Sequence, residues 1–112
     1  VYTSTLLRVE CMRALDRVRL AKAIDDAEMV GLLDDLDTMC ASLRQVEISN
    51  EILKSAGRSF PVAVGTLDAI HLATALAVSE MAGAPVMVYT HDKQLGFAAR
   101  SMRMSVAGVE FI

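Results

Sequence analysis

The 112 residues suffice for one domain with its own core, and 54% of them are apolar, which excludes a disordered chain. A formal charge of −3 withholds the global basic surplus usual in nucleic-acid binders, so only local patches remain for such a role. Aromatic residues are 4% of the chain, so the core must be aliphatic, with seven Met as gap fillers.

In chain order, Val1-Tyr2-Thr3 reads as a strand that leads directly into a helix capped by Thr3 or Ser4. The apolar stripe of that helix is Leu7, Cys11, Ala14, Leu15 and Val18. A second helix carries Met29, Leu32, Leu33, Leu36, Cys40 and Leu43 on one face and Asp34, Asp35 and Asp37 on the other. Gln45 to Ile48 forms a short strand, and Ser49 or Asn50 caps a helix through Ile52, Leu53 and Ala56. Gly57 to Gly65, with Pro61, is a loop. The next helix is apolar nearly all round and is expected to be buried, ending near Gly83. Val86-Met87-Val88-Tyr89 reads as a parallel strand covered on both faces, followed by Thr90-His91-Asp92, a helix from Lys93 to Met102 and a last strand within Val106 to Ile112. Strands alternating with helices predict one α/β domain, residues 1–112, with a central parallel sheet. The chain opens mid-element and without an initiator Met, so residues are expected to be missing upstream.

The apolar stretch from Ala69 to Tyr89 is broken by Glu80, Gly83 and Pro85, short of the roughly 20 residues a membrane helix needs. Cys11 and Cys40 fall on apolar stripes without a CxxC partner, as reduced core residues of a cytoplasmic protein do. No Gly-rich phosphate loop is present, because Gly31, Gly57 and Gly65 are isolated.

Three acids occupy places where chemistry is expected, beyond the carboxyl ends of strands or at helix starts. Glu10 lies two turns into the first helix, Asp68 in the first turn of the apolar helix and Asp92 just after Tyr89. Alone, each has a plain explanation: Asp92 as a helix cap, Glu10 as a partner of Arg13 or Arg17, Asp68 favoured by the helix dipole. If they converge, each pair about 4 Å apart repels by roughly 4 kcal/mol at an effective dielectric of about 20. Such a cluster takes up protons or binds a cation, and all-oxygen ligation selects Mg²⁺ or Mn²⁺. Asp34, Asp35 and Asp37 read as a solvated face, and His71, one turn from Asp68, as a satisfied core residue. Two local basic groups exist: Arg8, Arg13, Arg17, Arg19 and Lys22, then Lys93, Arg100 and Arg103.

Leu67-Asp68-Ala69-Ile70-His71-Leu72-Ala73-Thr74-Ala75 resembles the third-acid helix of PIN-domain ribonucleases, particularly VapC-type toxins of bacterial toxin–antitoxin pairs. Thr90-His91-Asp92-Lys93-Gln94-Leu95 resembles that family's T-x-D-x-x-L segment, and Thr3-Ser4 with Arg8-Val9-Glu10 its second-acid segment. The family's opening strand, with its first acid, has no counterpart in these letters. The resemblance implies a three-layer α/β/α fold lacking its first strand and a Mg²⁺- or Mn²⁺-dependent endoribonuclease. Asp68, Asp92 and Glu10 would hold the metal and position water, with Thr90 hydrogen-bonding that network. It also implies an RNA substrate guided by the basic groups, a cognate antitoxin, a homodimer and a cytoplasmic location. The alternatives are a PIN-like binding module without catalysis and, less well matched, a phosphoacceptor receiver domain. The latter wants a Lys where Thr90-His91-Asp92 stands.

Overall fold

Short strands flank the helices because the apolar runs between turn signals are short. The computed structural model describes residues 1–110. They run β1 (Tyr2–Ser4), α1 (Leu6–Leu20), α2 (Asp26–Ser42), β2 (Arg44–Val46), α3 (Asn50–Ala56), α4 (Thr66–Ala82), β3 (Met87–Tyr89), α5 (Lys93–Ser101) and β4 (Ser105–Ala107). β1 pairs in parallel with β2, Tyr2 opposite Arg44, and β3 in parallel with β4, Met87 opposite Ser105. The α/β class with parallel strands therefore holds. The strands, however, form two two-stranded sheets, where the sequence predicts one central sheet. Contacts divide the chain into two units, Val1–Glu47 and a second beginning at Ile48. No helix among the described residues is long and apolar enough to cross a membrane.

In the first unit, α1 and α2 form a helical hairpin with Leu36 and Cys40 buried. Neither Thr3 nor Ser4 is the N-cap of α1; Thr5 takes that position without a side-chain cap. The correction is small, because the buried Ser4 still reaches forward and its Oγ accepts from the Leu6 N–H at 3.2 Å. Asp25 caps α2 in a full capping box with Glu28, satisfying two otherwise unpaired N–H groups. Arg8 of α1 meets Asp37 of α2 at 2.6 Å, and Asp37 holds the Arg8 guanidinium above its ordinary pKa. Arg44 lies over the Tyr2 ring, 5.8 Å from its centroid, bracing β1 against β2.

The second unit is built around Leu72 of α4, 1% exposed, against Ala98 and Ala99 of α5, the latter 0% exposed. Phe60, Val62 and Val64 from the 57–65 loop and Val88 and Val106 from the strands pack around this contact. Ser49 caps α3 through the Ile52 N–H, and α3 packs along α4.

Two expectations change here. α4 is not buried all round: Ala69, Leu72, Ala73, Thr74 and Val78 form one buried face, while Leu67 and Met81 are exposed. The neighbours it has within its unit cover that one side. Similarly, β3 is not covered on both faces; Val88 points inward while Met87 and Tyr89 are exposed, the period-2 alternation of a half-covered strand. β4 covers Ser105–Ala107, and the expected strand's end at 111 and 112 lies outside the described residues.

α4 ends at Gly83, whose φ of 63° permits the Ala84 N–H to reach back to the Ser79 carbonyl at 3.3 Å. α5 ends in the same six-residue closure, Met104 N–H to Ala99 carbonyl at 3.0 Å, but with Arg103 at a φ of 66°. A side chain is disfavoured in that left-handed conformation. Arg103→Gly is accordingly expected to raise stability by about 0.5–1 kcal/mol, read as a higher urea midpoint at unchanged slope. Leu72→Ala should cost about 2–5 kcal/mol in the same measurement, because the cavity it leaves has rigid neighbours.

Candidate active site

The Thr90-His91-Asp92 segment leaves β3 and turns into α5 under tight backbone control. Asp92 is the N-cap of α5, its Oδ1 accepting from the Gln94 N–H at 2.9 Å and the Leu95 N–H at 3.4 Å. Its own N–H donates to Thr90 Oγ1 at 3.0 Å. The Thr90 N–H donates to the Ala107 carbonyl at 3.0 Å, and His91 Nδ1 lies 3.1 Å from the Gly108 carbonyl oxygen. Gly108, at a φ of 97°, approaches Thr90 so closely that a Cβ there would collide with the Thr90 carbonyl oxygen. The segment is thus pinned by glycine on one side and by its own side chains on the other.

Asp68 occupies the first turn of α4, whose N-cap, Gly65, offers no side chain to the exposed N–H groups. A carboxylate there is favoured by the helix dipole. It is half-buried, which lowers the desolvation cost that an all-round buried helix implies. With residues 62–65 of the loop and Gln94, Phe97 and Ala98 of α5, it lines a hollow of about 470 Å³. The first turns of α4 and α5 therefore share one opening. Asp68 and His71 are each engaged by a neighbouring group, as is Glu10.

Glu10 stands in the second turn of α1, half-buried, in the first unit. Within neither unit do the described residues gather three or more His, Cys, Asp or Glu side chains into a metal-holding group. Beside Glu10, Cys11 has its thiol pKa pushed above the ordinary value, by burial above all and then by Cys40 and Glu10, the direction opposite to that of an activated thiol. Asp34 and Asp35 are exposed, and Asp37 is committed to Arg8. Arg19 and Arg13 pair with Asp16 at 2.7 and 3.5 Å, and the Arg19 hydrogen bond holds the Asp16 carboxyl below its usual range.

The model of the PIN domain family matches residues 1–99. The chain belongs to the PIN domain family. PIN domains are generally nucleases and commonly use divalent metals. Comparison with curated proteins and with solved structures gave no match.

Asp68 and Asp92 carry carboxylate oxygens, the donor type that suits a hard divalent cation, and the described residues of neither unit bring three such donors together. Asp68 offers a carboxylate on the wall of an open hollow, and capping through Oδ1 does not exhaust Asp92, since a carboxylate has about four acceptor positions. Sequence reasoning missed Gln94 and Phe97 as lining residues. The available signal was the spacing of Phe97 on α5, which sets a large apolar side chain on the polar face of the helix, away from the small residues at 96, 98 and 99. The capping role of Asp92 can be measured by itself. Asp92→Asn preserves the cap and is expected to unfold within a few tenths of a kcal/mol of wild type, whereas Asp92→Ala should lose about 1 kcal/mol, both by urea titration.

Proposed function

We propose that this PIN domain is a metal-dependent endoribonuclease of the VapC toxin type. Asp68 and Asp92, with Glu10 as third donor, would hold Mg²⁺ or Mn²⁺. The observation that carries this reading is the hollow in which Asp68 faces the first turn of α5, inside a chain matched to the PIN family over residues 1–99. A bound cation would supply activation of water and neutralisation of the leaving oxygen in phosphodiester hydrolysis. The chain's residues do the rest: Thr90 fixes the Asp92 backbone, and Gly108 holds Thr90 in place. RNA is the substrate in this reading, a cognate antitoxin silences the enzyme, and the toxin is a cytoplasmic homodimer.

A second reading, a PIN-like binding module without catalysis, draws on the commitment of Asp92 Oδ1 to two backbone N–H groups. One assay separates them. The nuclease reading expects cleavage of RNA with Mg²⁺ or Mn²⁺, its loss in EDTA and its recovery on adding the metal back. Asp68→Asn should lower that cleavage by about 100-fold or more, the rate equivalent of several kcal/mol of metal-derived stabilisation. Absence of cutting under either metal, with a protein partner still bound by Asp68→Asn, would establish the module instead.

A further inference from the structure

We propose that Gly108 and His91 are positioning residues for Asp92, fastening the turn that carries it to the end of β4. This rests on the reading of Asp92 as a metal-binding acid and adds the residues that set its place from outside the site.

The turn's own bonds fix its shape but not its location. The Asp92 N–H to Thr90 Oγ1, and the Gln94 and Leu95 N–H groups to Asp92 Oδ1, all join residues two or three apart. Burial does not fix the location either, because His91, Asp92 and Lys93 are exposed. The ties to β4 do. The Thr90 N–H donates to the Ala107 carbonyl at 3.0 Å, and His91 Nδ1 lies 3.1 Å from the carbonyl oxygen of Gly108, 17 residues away. A carbonyl oxygen only accepts, so Nδ1 carries the proton and donates it to the end of β4.

Gly108 supplies the third tie through its shape. Its φ of 97° suits glycine, and a Cβ there would meet the oxygen, carbon and nitrogen of Thr90. All three are backbone atoms, so no side chain can turn aside to make room. Such a Cβ must push Thr90 away, and Thr90 takes Asp92 with it through the bond at Oγ1. Gly83 is the internal comparison: its φ is also positive, 63°, yet nothing lies within 4 Å of where its Cβ would stand. Backbone strain is common to the two glycines, but collision with the Asp92 turn is particular to Gly108. Ala107 and Gly108 also lie beyond residues 1–99, the span matched to the family, so the fastening is not part of that match.

The test is NMR of the metal-free full chain, reading the Gln94 and Leu95 amide signals that report the cap, beside a Mn²⁺ titration followed by electron paramagnetic resonance. Gly108→Ala should shift both amide signals and weaken Mn²⁺ binding by about 10- to 100-fold, the usual effect of losing an outer support of a metal ligand. Gly83→Ala, strained but free of collision, should leave both readouts at wild-type values. His91→Leu removes the donor and should move them as Gly108→Ala does. His91→Asn, whose amide donates from nearly the place of Nδ1, should restore them. Unmoved amide signals in Gly108→Ala, or His91→Asn behaving as His91→Leu, overturn the proposal. Moved signals with unchanged Mn²⁺ affinity overturn it too, since the place of Asp92 would then not matter to the site. If Gly108→Ala does not fold, the two variants of the exposed His91 decide by the same readouts. Moved amide signals in a protein whose wild type binds no Mn²⁺ keep the positioning of Asp92 and remove the metal reading.

Discussion

The contact of Leu72 with Ala98 and Ala99 is the one on which the second unit depends. Gly96, Ala98 and Ala99 are the buried residues of α5, and Leu95 and Met102 pack against the same cluster. Full burial of one Leu is worth about 1.5–3 kcal/mol, and this one also sets a position. With α5 seated there, Gln94 and Phe97 reach the hollow that Asp68 lines. Val88 and Val106 enter the same core from the strands, so the point where β3 releases Thr90, His91 and Asp92 is fixed by the same packing.

That packing divides the labour between backbone and side chain. Asp92 is held by two N–H groups and by Thr90, and Thr90 is held by Ala107 and by the close approach of Gly108. A carboxylate whose backbone is pinned at this many points is already ordered, which is the physical content of preorganisation. Asp68 is arranged differently: it sits on a helix start with no capping side chain, where the dipole favours negative charge.

Charge is distributed by the same logic. On α1 and α2, opposite charges are paired at the surface, where such pairs add little to stability and mainly orient the hairpin. On α5 the cations flank an exposed ring and a hollow with an acid in its wall. Fields at the surface are set by neighbours within about a Debye length and not by the total charge.

The sequence by itself determined the element order and several helix ends, since capping, turn chemistry and apolar period act over a few residues. Ser49, Gly83 and the 57–65 loop lie where local rules place them. The family was legible too, because the segments around Asp68 and Asp92 carry their spacing in the letters. What the letters left open was which side of an apolar element is covered. α4 and β3 read as buried all round, yet Leu67, Met87 and Tyr89 face outward, because coverage depends on what packs against an element from elsewhere in the chain. For the same reason only the tertiary structure put Gln94 and Phe97 beside Asp68: twenty-odd residues separate them in sequence, and the shared core of Leu72, Ala98 and Ala99 brings the two helices to one hollow.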